Sequence, residues 1–372
     1  MLTMERLVHD MVEKGASDIH LTIGVPPQLR VDGLMTPVEG AERLTPDMCH
    51  QLIYSVLTDE QKRRFEEELE LDLSFGVKDV GRIRMNVFRQ RGTVGAALRG
   101  IPNEIPSFDQ LGLPLIVKKI ADFPAGLVLV TGPTGSGKST TLASIIDYVN
   151  TNKRLHIITV EDPIEFLHRH KSCIVVQREV GADTRSFAQS LKHMLRQDPD
   201  VILVGEMRDL ETISAAITIA ETGHLVFATL HTTDAIQSVN RIIDVFAPEQ
   251  QQQIKAQLSF VLKSTFSQTL IPHASGKGRI LACEILISTP AISNLIREGK
   301  IHQAYTIMQV SKQFGMQTMN SSLAELYKRG VITYDDALNH TQDPESLKKI
   351  IGGGPAAAAQ PTMRAVGGYG GH

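Results

Sequence analysis

Gly132-Pro133-Thr134-Gly135-Ser136-Gly137-Lys138-Ser139 fits the pattern G-x-x-x-x-G-K-[ST] at every position, and its flanks are those the pattern needs. Before it runs Leu127-Val128-Leu129-Val130, an apolar stretch that reads as a buried strand. After it, Ser139-Thr140-Thr141-Leu142-Ala143-Ser144-Ile145-Ile146 reads as a helix. Strand, glycine loop and helix form the geometry that holds a phosphate. Glycines let successive backbone N–H groups turn toward one anion, and the helix N-terminus adds its positive end. The loop from Gly132 to Thr140 is therefore expected to bind a nucleoside triphosphate. Lys138 would reach the β- and γ-phosphates, and Ser139 would hold Mg²⁺.

Working outward, the pattern from about residue 110 alternates strands with helices, the signature of a mostly parallel sheet. Leu127–Val130, His156–Val160, Val201–Val204 and Leu225–Thr229 are the expected core strands. Phe187, Leu191, Met194 and Leu195 share one helix face, and Ile213, Ala216, Ile217 and Ala220 share another. Upstream, residues 1 to 100 read as a small α+β domain. It opens with an amphipathic helix (Met4, Leu7, Val8, Met11, Val12), followed by strands at Asp18–Thr22, in Pro26–Gly33, at Gly81–Phe88 and at Thr93–Arg99, and a charged helix over Asp59–Glu70. Residues 101–110, with two prolines, read as a linker. Residues 111–289 form the nucleotide domain, 290–350 look purely helical, and the Gly/Ala-rich tail 351–372 has little to bury and is expected to be disordered.

The formal net charge of −3 is opposite in sign to that of a general DNA binder, and with no tryptophan and few aromatics there is little stacking surface for single strands. No nucleic-acid partner is expected. Cys49, Cys173 and Cys283 lack C-x-x-C spacing and read as reduced structural thiols in a cytosolic protein. No signal peptide opens the chain and no apolar run approaches the ~20 residues that span a bilayer, so the protein is expected to be soluble.

Four further segments lie where strands end, the edge at which α/β sheets host ligands. The first is Glu161-Asp162-Pro163-Ile164-Glu165: beside a triphosphate such acids would bind Mg²⁺ or take a proton from attacking water, and otherwise they are simply solvated. The second is Val201-Ile202-Leu203-Val204-Gly205-Glu206, an apolar strand ending in a carboxylate, which suits the metal side of such a site. The third places His224 and His231 at the two ends of one strand, where a histidine is more often structural. The fourth, Arg84 and Arg99, lies on the N-terminal domain; surface arginines are usually solvated, but in a ring ATPase they can neutralise charge on the γ-phosphate.

These segments in this order, with Asp18-Ile19-His20 upstream, resemble the type II/IV secretion ATPase superfamily. The acidic segment is similar to its Asp box, Val204-Gly205-Glu206 to its atypical Walker B, and Gly223-His224 through His231 to its His box. Within it the chain resembles the type IV pilus retraction ATPases. It has a single compact N-terminal domain, no tetracysteine insertion between Ser267–Pro272 and Arg279–Ile285, and Ala291-Ile292-Ser293-Asn294-Leu295-Ile296-Arg297-Glu298 in place of their AIRNLIRE. Ser293 stands where arginine is expected. The resemblance implies a RecA-like P-loop ATPase domain with an N-terminal PAS-like domain and a C-terminal helical segment, ATP bound between the domains, and a homohexameric ring. It implies Glu165 as general base, Glu206 positioning Mg²⁺ and water, His231 sensing the γ-phosphate, His224 as structural, and Arg84 and Arg99 closing on nucleotide, in cis or across an interface. The implied activity is ATP hydrolysis driving pilus retraction and twitching motility, at the cytoplasmic face of the inner membrane against a platform protein. An accessory retraction ATPase acting with a paralogous ATPase, and a nucleic-acid translocase, are the alternatives.

Overall fold

The computed structural model describes residues 2–31, 33–77, 80–101 and 104–352. The chain divides into two compact units, Met1–Pro106 with Pro163–Lys171, and Ser107–Asp162 with the rest from Ser172 onward. The short excursion at 163–171, which carries Glu165, groups with the first unit although it lies inside the nucleotide domain in sequence.

The first unit is built on β1 (Asp18–Leu21), β2 (Gln28–Val31), β3 (Leu34–Pro37), β4 (Glu70–Val77), β5 (Gly81–Gln90) and β6 (Thr93–Ile101), in the order β3-β2-β1-β6-β5-β4. All pairings are antiparallel. Period-2 alternation puts Ile19, Leu21, Ile83, Met85, Val87, Ala96 and Leu98 on one face, where they pack with Leu7, Met11, Ile53 and Phe65 of the helices Met4–Glu13, Pro46–Tyr54 and Asp59–Glu68. Val12, expected on the buried face of the first helix, is 53% exposed. The charged helix stops at Glu68, two residues earlier than expected, because Leu69 turns left-handed (φ 67°) and Glu70 opens β4. A capping box, Thr58 with Gln61, starts it.

The second unit carries β7 (Gly126–Thr131), β8 (His156–Glu161), β9 (Ile174–Glu179), β10 (Val201–Val204), β11 (Leu225–Leu230), β12 (Leu262–Pro272) and β13 (Arg279–Ile287). Their order is β13-β12-β7-β11-β10-β8-β9, parallel throughout except for the β12–β13 hairpin. Both faces are covered, which explains the unbroken apolar runs. Val128, Val130, Ile157, Leu203 and Phe227 meet Leu142, Ile145 and Ile146 of the helix Lys138–Asn152. Leu129, Val160, Ile202, Val204 and Ala228 meet Ile213, Ala216, Ile217 and Ala220 of the helix Leu210–Glu221, the face expected from the sequence. Leu195, expected to share a face with Leu191, is 38% exposed, because the helix Phe187–Met194 tightens there into a 3₁₀ turn. Five α-helices follow, Pro290–Arg297, Ala304–Val310, Met319–Lys328, Tyr334–Asn339 and Pro344–Ile351, the last capped by Gly352. Ile351, placed in the expected tail, is thus helical, and 353–372 lie outside the described residues. Of the expected linker, Ile101 ends β6 and Phe108–Leu111 is a short helix. No described helix is long and apolar enough to cross a membrane.

Candidate nucleotide site

The carboxyl ends of β7, β8, β10 and β11 lie side by side at one edge of the parallel sheet, and each delivers one of the segments singled out in the sequence. From β7 comes the glycine loop. Gly132 has φ 142°, and a Cβ there would lie 2.2 Å from the Gln268 carbonyl oxygen, so no side chain fits. Gly137, at φ 89°, is the N-cap of the helix Lys138–Asn152, which leaves that helix's first N–H groups facing the loop. Lys138 Nζ donates to the carbonyls of Gly132 (2.8 Å) and Pro133 (3.0 Å), so the ammonium is held over the loop. Burial pulls its pKa down, and the Glu206 carboxylate opposes the shift, which places that acid within electrostatic reach of Lys138.

Glu206 follows β10. Its Oε1 accepts from Arg208 Nε at 2.6 Å and from His231 Nε2 at 3.1 Å. Burial pushes the carboxyl up, but the hydrogen bonds and charges of Arg208 and His231 outweigh it and hold the group below the ordinary carboxylate range. The Glu206 loop is tied to β11 by Met207 N–H to Thr229 O (3.1 Å) and by Thr229 Oγ1 to Gly205 O. A side chain at Gly205 would press on Glu161 Cα at 3.1 Å, so the two acidic segments run in close contact. His231 and Glu206 therefore form one constellation. His224 sits at the opposite, amino end of β11, its Nδ1 within 3.1 Å of both Thr222 Oγ1 and Ile219 O, a structural position.

Of the acidic segment, Glu161 ends β8 half-buried and accepts from Thr159 Oγ1 (2.6 Å) and Gln177 Nε2 (3.1 Å). Glu165 is exposed, within the excursion that groups with the first unit. Ser139 is exposed in the first turn of the loop helix, with Thr140 half-buried beside it.

Three supporting features were not foreseen. Gln268 of β12 donates Nε2–H to Ser136 O at 2.6 Å and pins the loop from beneath. Arg208 fixes Glu206. A hydroxyl line, Thr232 to Ser238 (2.6 Å), Ser238 to Thr131 (3.4 Å) and Thr131 to Ser267 (2.7 Å), joins the His231 loop to the strand that launches the glycine loop. The Glu-x-Arg spacing of Glu206 and Arg208 was the available signal.

In the first unit, Arg84 and Arg99 are direct cross-strand partners on the polar face. The row continues through Asp18, which is opposite both Arg99 and Arg30. Asp18 Oδ1 accepts from Arg99 Nε (2.8 Å), and its Oδ2 lies 3.7 Å from Arg30 Nε. Two cations directly opposite each other repel, so the pair weakens this face unless an anion meets it.

Among the described residues no cluster of three or more His, Cys, Asp or Glu could hold a metal. A cation bound through one serine hydroxyl, one carboxylate and phosphate oxygens needs no such cluster, and the all-oxygen donors Ser139 and Glu206 suit Mg²⁺.

The family model for Type II/IV secretion system protein matches residues 1–339. The chain is 50% identical over 335 residues to the type IV pilus retractation ATPase PilT of Pseudomonas aeruginosa, covering 90% of this chain and 97% of that protein. It is 44% identical over 350 residues to the type IV pilus ATPase PilU of the same organism, covering 94% of this chain and 91% of that protein. Among solved structures, that of the pilus retraction motor PilT with bound ADP matches with a TM-score of 0.89 at 52% identity, covering 94% of this chain and 100% of the other.

Proposed function

We propose, from the premise that this chain belongs to the type II/IV secretion system protein family, that it is the ATPase motor of type IV pilus retraction. The observation that carries the reading is the convergence of Lys138, Glu206 and His231 at one sheet edge, in a chain that covers nearly all of a retraction ATPase. ATP would lay its phosphates against the N–H groups of the loop from Gly132 to Thr140, with Lys138 exchanging its two carbonyl partners for β- and γ-phosphate oxygens. Ser139 and Glu206 would hold Mg²⁺, which neutralises phosphate charge when bound.

Glu165 is the general base of this reading, being exposed, whereas Glu161 is engaged by Thr159 and Gln177. Glu206, held by Arg208 and His231, orients the attacking water, and His231 meets the γ-phosphate and changes its bond to Glu206 when that phosphate leaves. Arg84 and Arg99 neutralise charge developing on the γ-phosphate. The working form is a homohexamer at the cytoplasmic face of the inner membrane, acting on the platform protein of the pilus to withdraw pilin.

Ser293 favours a second reading, an accessory ATPase acting with a paralogue. It is half-buried with its Oγ 3.1 Å from Ser288 Oγ, so this position lacks the cation expected of the retraction signature. Pilus retraction in cells whose only retraction ATPase is this chain separates the two. Retraction by the wild type and none by Lys138→Ala is the expected result. Retraction only when a paralogue is supplied would transfer the chain to the accessory role.

A further inference from the structure

Glu284, in the middle of β13, is 4% exposed, and among the described residues no cation pairs with it. Its carboxylate is met instead by two helix N-termini. Oε1 accepts from the N–H of Ala235 at 2.9 Å, and Oε2 from the N–H of Met319 at 3.4 Å. Each donor is the first residue of its helix, Ala235–Asp244 and Met319–Lys328, where an orphan N–H and the positive end of the helix favour an anion. Burial and the nearby Asp234 push the carboxyl up, while the two N–H groups hold it down.

The two helices have different neighbours. Ala235 comes four residues after His231, at the end of the loop that reaches Glu206. Met319 opens the C-terminal helix whose Asn320 bonds to Asp343 O (2.9 Å) and accepts from Thr341. From that same turn, Gln342 Nε2 returns to Thr233 Oγ1 at 2.9 Å. The His231 loop and the C-terminal helices are thus joined at two points, a rim contact through Gln342 and a buried one through Glu284.

We infer that Glu284 is a positioning residue: it sets the exit of the His231 loop and passes the nucleotide response of that loop to the C-terminal helices. The inference rests on reading His231 as the group that meets the γ-phosphate. A two-point link transmits movement because a buried carboxylate cannot leave one N–H without stranding it.

The test uses the full-length protein, with steady-state ATP hydrolysis and amide hydrogen exchange over 319–328 in ADP and in a non-hydrolysable ATP analogue. Glu284→Gln keeps the shape but turns an NH₂ toward one of the two donors. Its kcat should fall about tenfold or more with KM for ATP within about twofold. The exchange difference between the two nucleotides should vanish. Met319→Pro removes a single N–H at a position where proline is tolerated, and Thr318 already has φ −83° and ψ 156°, as a residue before proline requires. That variant should keep kcat within about twofold, since the Ala235 bond survives, yet lose the exchange difference. Wild-type kcat in Glu284→Gln overturns the positioning role. If that variant does not fold, an unchanged exchange difference in Met319→Pro overturns the link. A His231→Ala variant with wild-type kcat overturns the reading of His231 alone and leaves Glu284 to be judged by the other two.

Discussion

Lys138 makes two carbonyl bonds that a triphosphate must replace, and its ammonium is already partly desolvated, so the loop is prepared for an anion. A charge-assisted hydrogen bond contributes about 1.5–3 kcal/mol, so Lys138→Ala should weaken ATP binding by at least about tenfold and up to a hundredfold. Titration with a fluorescent ATP analogue measures it, and near-native affinity would remove the phosphate role of the loop. Glu165→Gln keeps shape but cannot accept a proton, so ATP should stay bound while turnover falls. A loss below about tenfold, ~1.4 kcal/mol in barrier, would move the base to Glu161. Arg84 and Arg99 do not make equivalent tests. Arg99 also holds the buried Asp18, so Arg99→Ala loosens the sheet as well as any phosphate contact, whereas among the described residues Arg84 has no acidic partner. Arg84→Ala should therefore preserve folding and nucleotide binding while cutting hydrolysis by about 10³-fold. Asp18 carries its own pH signature. Burial raises its pKa, but bonds from Ser17 and Arg99 more than compensate, so the net shift is downward. A depressed carboxylate stabilises the fold above its unfolded pKa, and that stability is lost as pH falls through the folded value. Asp18→Asn should then be less stable than wild type at neutral pH, with the gap closing below the ordinary carboxylate range. A gap that is flat with pH in urea melts would mean Asp18 acts by packing alone.

Elements placed the site, and some announced themselves in the sequence while others did not. β7, β10 and β11 are legible because both faces are buried and their apolar runs are unbroken. β12 is equally buried but reads Ser264-Thr265-Phe266-Ser267-Gln268, and its hydropathy hides it. Two of its hydroxyls are satisfied by neighbours distant in sequence, Ser264 by Leu286 O and Ser267 by Thr131, a satisfaction no local window contains. β9, at the sheet edge, reads Ile174-Val175-Val176-Gln177-Arg178-Glu179, three apolar residues then three polar ones, so neither an unbroken apolar run nor a period-2 alternation marks it. The glycine loop was legible because its chemistry is local. The grouping of 163–171 with the first unit was not, because it depends on contacts made across the chain. The helix Leu210–Glu221 shows how an element start supports the site. It follows Glu206 and Arg208 and is capped by Asp209, which accepts from Thr212 N (2.8 Å) and Thr212 Oγ1 (2.9 Å). Asp209→Ala should cost about 1 kcal/mol in urea unfolding. It should also lower kcat through a less fixed Arg208, and an unchanged kcat would uncouple the cap from the site.

At the scale of the whole molecule, the second unit leaves large apolar side chains in water. Leu115 and Val310 are 76% and 77% exposed, and Phe260 is 67% exposed beneath Arg297. Scattered apolar residues are ordinary on a monomer, but under the homohexamer proposed above these three are the side chains a subunit contact would cover. A head-to-tail interface pairs two different surfaces of the same chain, so it closes into a ring when the rotation per subunit divides a full turn. Hydrolysis can then produce work, since each subunit changes its contacts with the next as nucleotide is bound and lost. Light scattering at ~10 μM protein with ATP, a regime in which mass action favours assembly, should report six times the protomer mass. Dilution should lower specific activity along with mass, because a motor built on subunit contacts loses turnover when they dissolve. A strictly monomeric protein with full ATPase activity would remove the ring and leave a self-sufficient hydrolase.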